Sequence, residues 1–86
     1  MATEFKWHEW NLDHVAKHGC TAAEIESVVR HPGRGYPRHV GNDKLLVIGR
    51  GQGGRFIRVV YVIEDDGPIF VIHAMPVTTR RRRGRR

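Results

Sequence analysis

Two arginines stand at sequence positions where a positive charge could serve phosphate chemistry. Arg58 lies between Ile57 and Val59 in a strongly apolar segment, where an arginine is uncommon unless its charge is needed. Arg50 follows Gly49 at the end of another apolar segment. Each guanidinium could bind a phosphate group through paired N–H donors. Each could equally lie at the rim of a sheet and extend to water.

Three histidines suggest acid–base chemistry, because imidazole exchanges a proton near neutral pH. His73 lies near the end of the last apolar segment, where it could be a general acid or base or a half-buried structural residue. His14 and His18 are four residues apart and share a helical face with Asn11. They lack further ligands at metal-site spacing, so we favour a face that hydrogen-bonds the sheet or loops. We predict no metal site and no cofactor.

The net charge of +6 comes from the arginine-rich C-terminal segment. Fifteen Lys and Arg residues face nine Asp and Glu residues, and six of the arginines lie within residues 80–86. Residues 30–58 form a second basic zone, with seven basic residues and one acidic residue. Both zones indicate a polyanionic partner such as RNA, although the tail could also be a solubilising terminus. The residues predicted to contact nucleic acid are Arg55, Arg80, Arg81, Arg82, Arg83, Arg85 and Arg86.

The size and composition indicate a small cytoplasmic protein. We assign residues 1–79 to a single domain and residues 80–86 to a disordered tail. Cys20 is the only cysteine, which excludes an intrachain disulfide and fits a reducing compartment. The polar N-terminal segment lacks the apolar stretch of a signal peptide. The longest apolar run, Val59–Ile63, is far shorter than the roughly 20 residues of a membrane span.

A first helix is predicted over about residues 8–18. Leu12, Val15 and Ala16 recur at the i, i+3 and i+4 spacing of a helix, which predicts that they form its buried stripe. Before this helix, polar and apolar residues alternate over residues 4–7, which could form a short first strand.

A second helix follows after a linker of roughly three residues, so the two should form an antiparallel hairpin. Thr21 and Glu24 have the spacing of a capping box, in which Thr21 caps the helix and Glu24 reaches back to the Thr21 amide. Ile25, Val28 and Val29 are its predicted buried residues.

The rest of the chain is predicted to form a sheet. Strands are expected at about residues 44–50, 55–64 and 69–74, with a further short strand starting near His39. In the longest strand, alternation places Arg58 on the face opposite to the more apolar residues. The predicted fold is α+β: an N-terminal strand, a helical hairpin, and a three- to four-stranded antiparallel sheet, followed by the basic tail.

Several short motifs occur in order along nearly the whole chain. They are Trp7-His8-Glu9-Trp10-Asn11, Lys17-His18-Gly19-Cys20-Thr21, Ile48-Gly49-Arg50, Gly54-Arg55, Arg58-Val59-Val60-Tyr61 and Ile72-His73-Ala74. In this order and spacing, the sequence resembles the BrnT family of toxins, which belong to type II toxin–antitoxin systems and share the RelE-like ribonuclease fold. The resemblance implies an RNA-cleaving toxin that arrests translation and is neutralised by a protein antitoxin.

The resemblance also implies which residues act. They are Lys17, His18, Arg50 and Arg58, with His73 and Arg80 in weaker positions. The chain departs from the family pattern after the last strand. It has Ala74-Met75 where the family usually has Ala-Arg, and residues 80–83 lack the family's usual glutamate.

The first functional hypothesis is a metal-independent endoribonuclease, in which the RNA 2′-hydroxyl attacks its own 3′-phosphate. Arg50 and Arg58 would stabilise the transition state, His18 or His73 would transfer protons, and Lys17 would position the RNA backbone. The alternative is a catalytically degenerate module that binds nucleic acid or a protein partner without cleavage. A third interpretation is a purely structural or interaction protein. Homodimers and toxin–antitoxin hetero-oligomers are both left open.

Overall fold

Five strands and two α-helices make up the described part of the chain, residues 4–77, in a computed structural model. The elements are β1 (Phe5–Lys6), α1 (Glu9–Ala16), α2 (Ala22–Arg30), β2 (Arg38–His39), β3 (Lys44–Arg50), β4 (Phe56–Ile63) and β5 (Ile69–Pro76). Neither α1 nor α2 is long and apolar enough to cross a membrane. The predicted arginine-rich tail lies outside the described residues, and so do its predicted nucleic-acid contacts.

The strands form one mixed sheet in the order β1-β5-β4-β3-β2. The pairs β2–β3, β3–β4 and β4–β5 are antiparallel, as expected for consecutive strands with short connections. β1 instead pairs in parallel with β5, with Phe5 opposite Ile69 and Lys6 opposite Phe70. The α+β class, the short first strand and the antiparallel sheet of four strands, β2–β5, are confirmed, whereas the parallel pairing of β1 was not predicted. The short first strand joins the free edge of β5, which local patterning cannot show.

The core lies between α2 and one face of the sheet. On β4, Ile57 and Val59 are fully buried, and Tyr61 is nearly so. Ile25 and Val28 of α2 are fully buried against this face, as predicted. Burial of these side chains removes apolar surface from water, which is the main force that holds the two layers together.

Helix α1 packs differently from the prediction. Its buried residues are Asn11 and Val15, while Leu12 and Ala16 are exposed. Asn11 can be buried because its hydrogen bonds are satisfied: its Oδ1 accepts from the His8 amide at 2.7 Å, and its Nδ2 donates to the carbonyls of Lys6 and Val71, each at 3.2 Å. A polar residue therefore fixes α1 beside β5.

The start of α2 agrees with the predicted cap, but the main partners of Glu24 lie elsewhere. The Thr21 side chain accepts from the Glu24 amide at 3.2 Å, which is the expected cap. The Glu24 carboxylate keeps the Thr21 amide as a minor partner only. It is directed at the turn between β3 and β4, where it accepts from the Gln52 amide at 2.9 Å and pairs with Arg55.

Candidate functional site

The candidate site lies on the sheet face opposite to α2, which α1 borders along β5. Along β4, burial alternates, so that Arg58 and Phe56 are exposed while Ile57 and Val59 are buried. The predicted orientation of Arg58 is therefore confirmed. We call this surface the open face.

Cross-strand pairing arranges the open face in rows. Ile48, Arg58 and Met75 are direct partners across β3, β4 and β5. The next row joins Val60 of β4 to His73 of β5. Side chains of paired residues lie on the same face of a sheet, so His73 is a diagonal neighbour of Arg58.

A β-bulge decides where His73 lies. The β4–β5 register shifts between Val60 and Tyr61, because Val60 pairs with His73 while Tyr61 pairs with Val71. Ile72 is therefore the extra residue of β5. Without the bulge, strict alternation would place His73 on the same buried face as Val71. The bulge moves it to the open face beside Arg58.

Three imidazoles meet at the edge of the open face. The ring centroid of His73 is 5.2 Å from that of His18 and 5.6 Å from that of His14. The His14 and His18 rings are 6.2 Å apart. Helix α1 brings His14 there, and the turn after it brings His18, because Asn11 holds α1 against β5. We call these three residues the histidine cluster.

The environment of His73 favours its neutral form. Burial lowers the pKa of His73, and the neighbouring His18, His14 and Arg58 lower it further through repulsion between positive charges. At neutral pH, this imidazole is therefore poised to accept a proton.

We predict that His73 titrates below 6.5, the ordinary value of a histidine. As the pH falls below about 6.5, the unfolded chain binds this proton before the folded chain does. The free energy of unfolding should therefore decline until the folded pKa is reached. Titration of the imidazole signals by NMR, with denaturant unfolding at each pH, measures both effects.

The matched variant for this titration is His18→Gln. It removes one neighbouring positive charge, so the His73 pKa should rise toward 6.5 while burial still holds it below that value. A His73 midpoint at or above 6.5 in the unaltered chain would contradict the described environment.

Arg58 carries a charge that no described residue neutralises. Within residues 4–77, no hydrogen bond or salt bridge joins Arg58 to another residue. Its side chain borders an open depression of about 300 Å³, lined also by Ile48, Met75, Pro76 and Val77. An exposed guanidinium beside a depression is available to bind an anionic ligand.

The other predicted site residues lie further out. The Arg50 guanidinium stands 4.8 Å above the Phe56 ring, and its Nη1 donates to the Gly54 carbonyl at 3.2 Å. Arg50 and Phe56 are cross-strand partners, one row beyond Arg58. Lys17 is the exposed C-cap residue of α1 and lies next to His18. The structure thus joins His18, His73 and Arg58 in one place, with Arg50 and Lys17 at its margins.

Arg55 has a structural partner. Its Nε and Nη2 donate to the two Glu24 carboxylate oxygens at 3.1 and 2.8 Å, and Nη2 also donates to the Gly19 carbonyl at 2.8 Å. The predicted contact of Arg55 with nucleic acid stays a prediction. The ion pair reduces the charge that Arg55 offers to an external anion.

Two ring residues of this surface, Trp10 and Phe70, were missed as site candidates in the sequence. The Trp10 and His14 rings stack with centroids 5.4 Å apart and an interplanar angle of 6°. Trp10 also lies nearly parallel to Phe70, with centroids 6.1 Å apart. The spacing Trp10, His14, His18, at i, i+4 and i+8, was the available signal. Only the contact with β5 shows that this stripe joins the site.

The histidine cluster is not arranged as a metal site. Among residues 4–77, no group of three His, Cys, Asp or Glu side chains could hold a metal ion. Imidazole side chains next to a fixed positive charge can exchange protons near neutral pH.

These observations define an α+β protein whose open sheet face combines an exposed arginine, paired imidazoles and an exposed aromatic ring. The chain belongs to the family described as domain of unknown function (DUF4258), which matches residues 12–76. No curated protein and no solved structure matches the chain.

Proposed function

We propose that this protein is a metal-independent endoribonuclease and the toxin of a type II toxin–antitoxin system. The observation that carries the proposal is the contact between His18 and His73, 5.2 Å apart at their ring centroids, beside the exposed Arg58. Two imidazoles and a guanidinium supply the proton acceptor, the proton donor and the anion stabiliser that cleavage at an RNA phosphate requires.

The reaction would start at the RNA itself. The 2′-oxygen attacks the adjacent phosphorus while a base removes its proton, and the 5′-oxygen of the next nucleotide leaves with a proton from an acid. The products are a 2′,3′-cyclic phosphate and a 5′-hydroxyl. His73 suits the role of the base because its lowered pKa keeps it neutral at pH 7. His18, on the opposite side of the same contact, suits the role of the acid.

Arg58 would stabilise the transition state. Negative charge grows on the non-bridging phosphate oxygens as the new bond forms, and a fixed cation nearby lowers the energy of that state. Arg58 has an exposed side chain and lies one diagonal step from His73. Lys17 and Arg50, at the two margins, would hold the flanking RNA backbone, to which cations bind without regard to sequence.

The remaining parts of the proposal come from the resemblance to the BrnT family. It implies the RelE-like ribonuclease class, arrest of translation in the cytoplasm, and neutralisation by a protein antitoxin. The basic tail at residues 80–86 fits the same proposal, since six arginines would raise affinity for RNA.

The test is cleavage of a labelled single-stranded RNA by the purified full chain in excess EDTA. We expect cleavage to persist and to leave cyclic phosphate ends. A substrate with 2′-deoxyribose at the cleaved position should resist, because it lacks the attacking oxygen. His73→Gln should reduce the rate about 10²- to 10⁴-fold. Activity that EDTA abolishes and a divalent cation restores would contradict the mechanism.

The second candidate is a binding module without catalysis. Met75 favours it, because this residue pairs directly with Arg58 and occupies a position where the BrnT pattern usually has arginine. The row of cross-strand partners Ile48, Arg58 and Met75 then presents one guanidinium rather than two. This candidate predicts RNA binding that weakens with salt, without strand cleavage at any protein concentration.

A further inference from the structure

Trp10 is the most exposed large apolar residue of the described chain. Its relative exposure is 57%, although it lies in a helix of a small protein that buries most of its other rings at least in part. We propose that Trp10 is a stacking platform for an unpaired nucleobase of single-stranded RNA, placed beside the histidine cluster. This inference rests on the proposed function and specifies the form of its substrate.

The indole is held in place before any ligand arrives. His14 lies against it at 5.4 Å with the ring planes 6° apart, and Phe70 lies at 6.1 Å with the planes 10° apart. Near-parallel rings at these separations are offset, so neither neighbour covers the indole fully. Because these two rings restrain the indole, a bound base would immobilise less side-chain freedom in the protein.

The position of Trp10 connects it to the proposed chemistry. His14, which stacks on Trp10, also contacts both His18 and His73. Trp10 and His14 are one helical turn apart, a rise of about 6 Å along the axis. A base on Trp10 would therefore bring the phosphate of the same or the adjoining nucleotide toward the histidine cluster and Arg58.

The chemistry of the surface favours a base over a base pair. Stacking on an aromatic side chain requires a free base face, which single strands offer and duplexes do not. Every base has such a face, so the contact contributes affinity with little sequence preference. The cation Lys17, seven residues after Trp10, lies on the same side of α1 and could bind the backbone.

The other tryptophan provides an internal comparison. Trp7 Nε1 donates to a Glu26 carboxylate oxygen at 2.8 Å, and its ring packs partly against the core. Trp7 therefore has a structural role, whereas no hydrogen bond within residues 4–77 engages the Trp10 indole. Trp7→Phe leaves Trp10 as the only tryptophan and makes its fluorescence specific.

The experiment is a titration of the full chain with an uncleavable 2′-O-methyl single-stranded oligonucleotide. In the Trp7→Phe chain, Trp10 fluorescence should be quenched at saturation, and the unaltered chain should show the same affinity. Trp10→Ala should weaken binding roughly tenfold or more, while Trp10→Phe should retain most of it. Leu12→Ala, an exposed apolar residue on the same helix, is the matched control and should change nothing. The same sequence as a duplex should bind without quenching.

Equal affinity of Trp10→Ala and the unaltered chain would overturn the inference, as would equal quenching by single strand and duplex. Loss of binding to a partner protein, with unchanged affinity for the oligonucleotide, would also overturn it. Because the oligonucleotide cannot be cleaved, the result does not depend on catalysis. Suppose that Trp10 fluorescence is quenched in the Trp7→Phe chain and that Trp10→Ala loses affinity, while the unaltered chain cleaves no RNA. These results together would support stacking and refute the nuclease.

Discussion

Arg58→Ala is expected to lower the rate of RNA cleavage by roughly 10²- to 10³-fold, the usual effect of removing one preorganised donor to a developing oxyanion. The fold itself should survive. Arg58 is exposed on the open face, and no hydrogen bond or salt bridge within residues 4–77 depends on it. The decisive measurement is the single-turnover rate at saturating enzyme, because it separates the chemical step from RNA binding.

The control for this variant is Arg34→Ala, which removes the same charge from an exposed position in the connection before β2. It should leave the single-turnover rate nearly unchanged. The double variant Arg58→Ala/Met75→Arg sharpens the test, because Met75 is the direct cross-strand partner of Arg58. It returns a guanidinium to the same row and should recover part of the lost rate. If Arg58→Ala weakens RNA binding but leaves the single-turnover rate intact, Arg58 binds the RNA backbone and does not stabilise the transition state.

Glu24→Ala is expected to destabilise the fold by about 2 kcal/mol, in the range for leaving a buried hydrogen-bonding group unpaired, because the Arg55 side chain is 41% exposed and water can take the place of its partner. The Glu24 side chain is fully buried and accepts three hydrogen bonds, two from Arg55 and one from the Gln52 amide. Alanine would leave the Gln52 amide without this acceptor and the space of the carboxylate unfilled. Denaturant unfolding followed by circular dichroism measures the loss.

Glu9→Ala is the matched control, because it removes an exposed carboxylate from the first turn of the other helix. Its effect should stay below about 1 kcal/mol.

A second signature of the Glu24 network is the response of stability to acid. Hydrogen bonds from Arg55 and the Gln52 amide lower the pKa of Glu24 below its ordinary value of 4.5, in spite of burial. The unaltered chain therefore loses stability as the pH falls below about 4.5 toward the folded pKa. Glu24→Ala should lack that component, and an equal acid response in both chains would contradict the described network.

Much of the fold follows from local sequence patterns. The alternation around Arg58 correctly assigned both faces of β4, because one face of a strand in a two-layer fold must be apolar. Thr21 correctly located the start of α2, because the amides of a first helical turn need an acceptor nearby in sequence. The α+β class followed from the order of helix and strand patterns. These features depend on neighbours within a few residues, so the sequence contains them directly.

The candidate site depended on contacts between distant residues. No local signal shows that a bulge at Ile72 turns His73 outward, because its cause is the pairing of β5 with β4. Nor does one show that the main partner of Glu24 is Arg55, 31 residues away. The predicted stripe of α1 was right for Val15 but wrong for Leu12 and Ala16, for the same reason, since Asn11 finds its partners on β1 and β5.

The sequence by itself determined the residue types: an arginine on the outer face of β4, histidines at helical spacing, and an excess of positive charge. The tertiary structure decided which of them meet. It brought His14 of α1 and His18 of the following turn to His73 of β5, beside Arg58, and left Arg50 and Lys17 at the margins. The physical reason is that α1 is held to β5 by the side-chain amide of Asn11 and that a bulge reverses the alternation of β5. Both are pairings across the chain, which local periodicity does not encode.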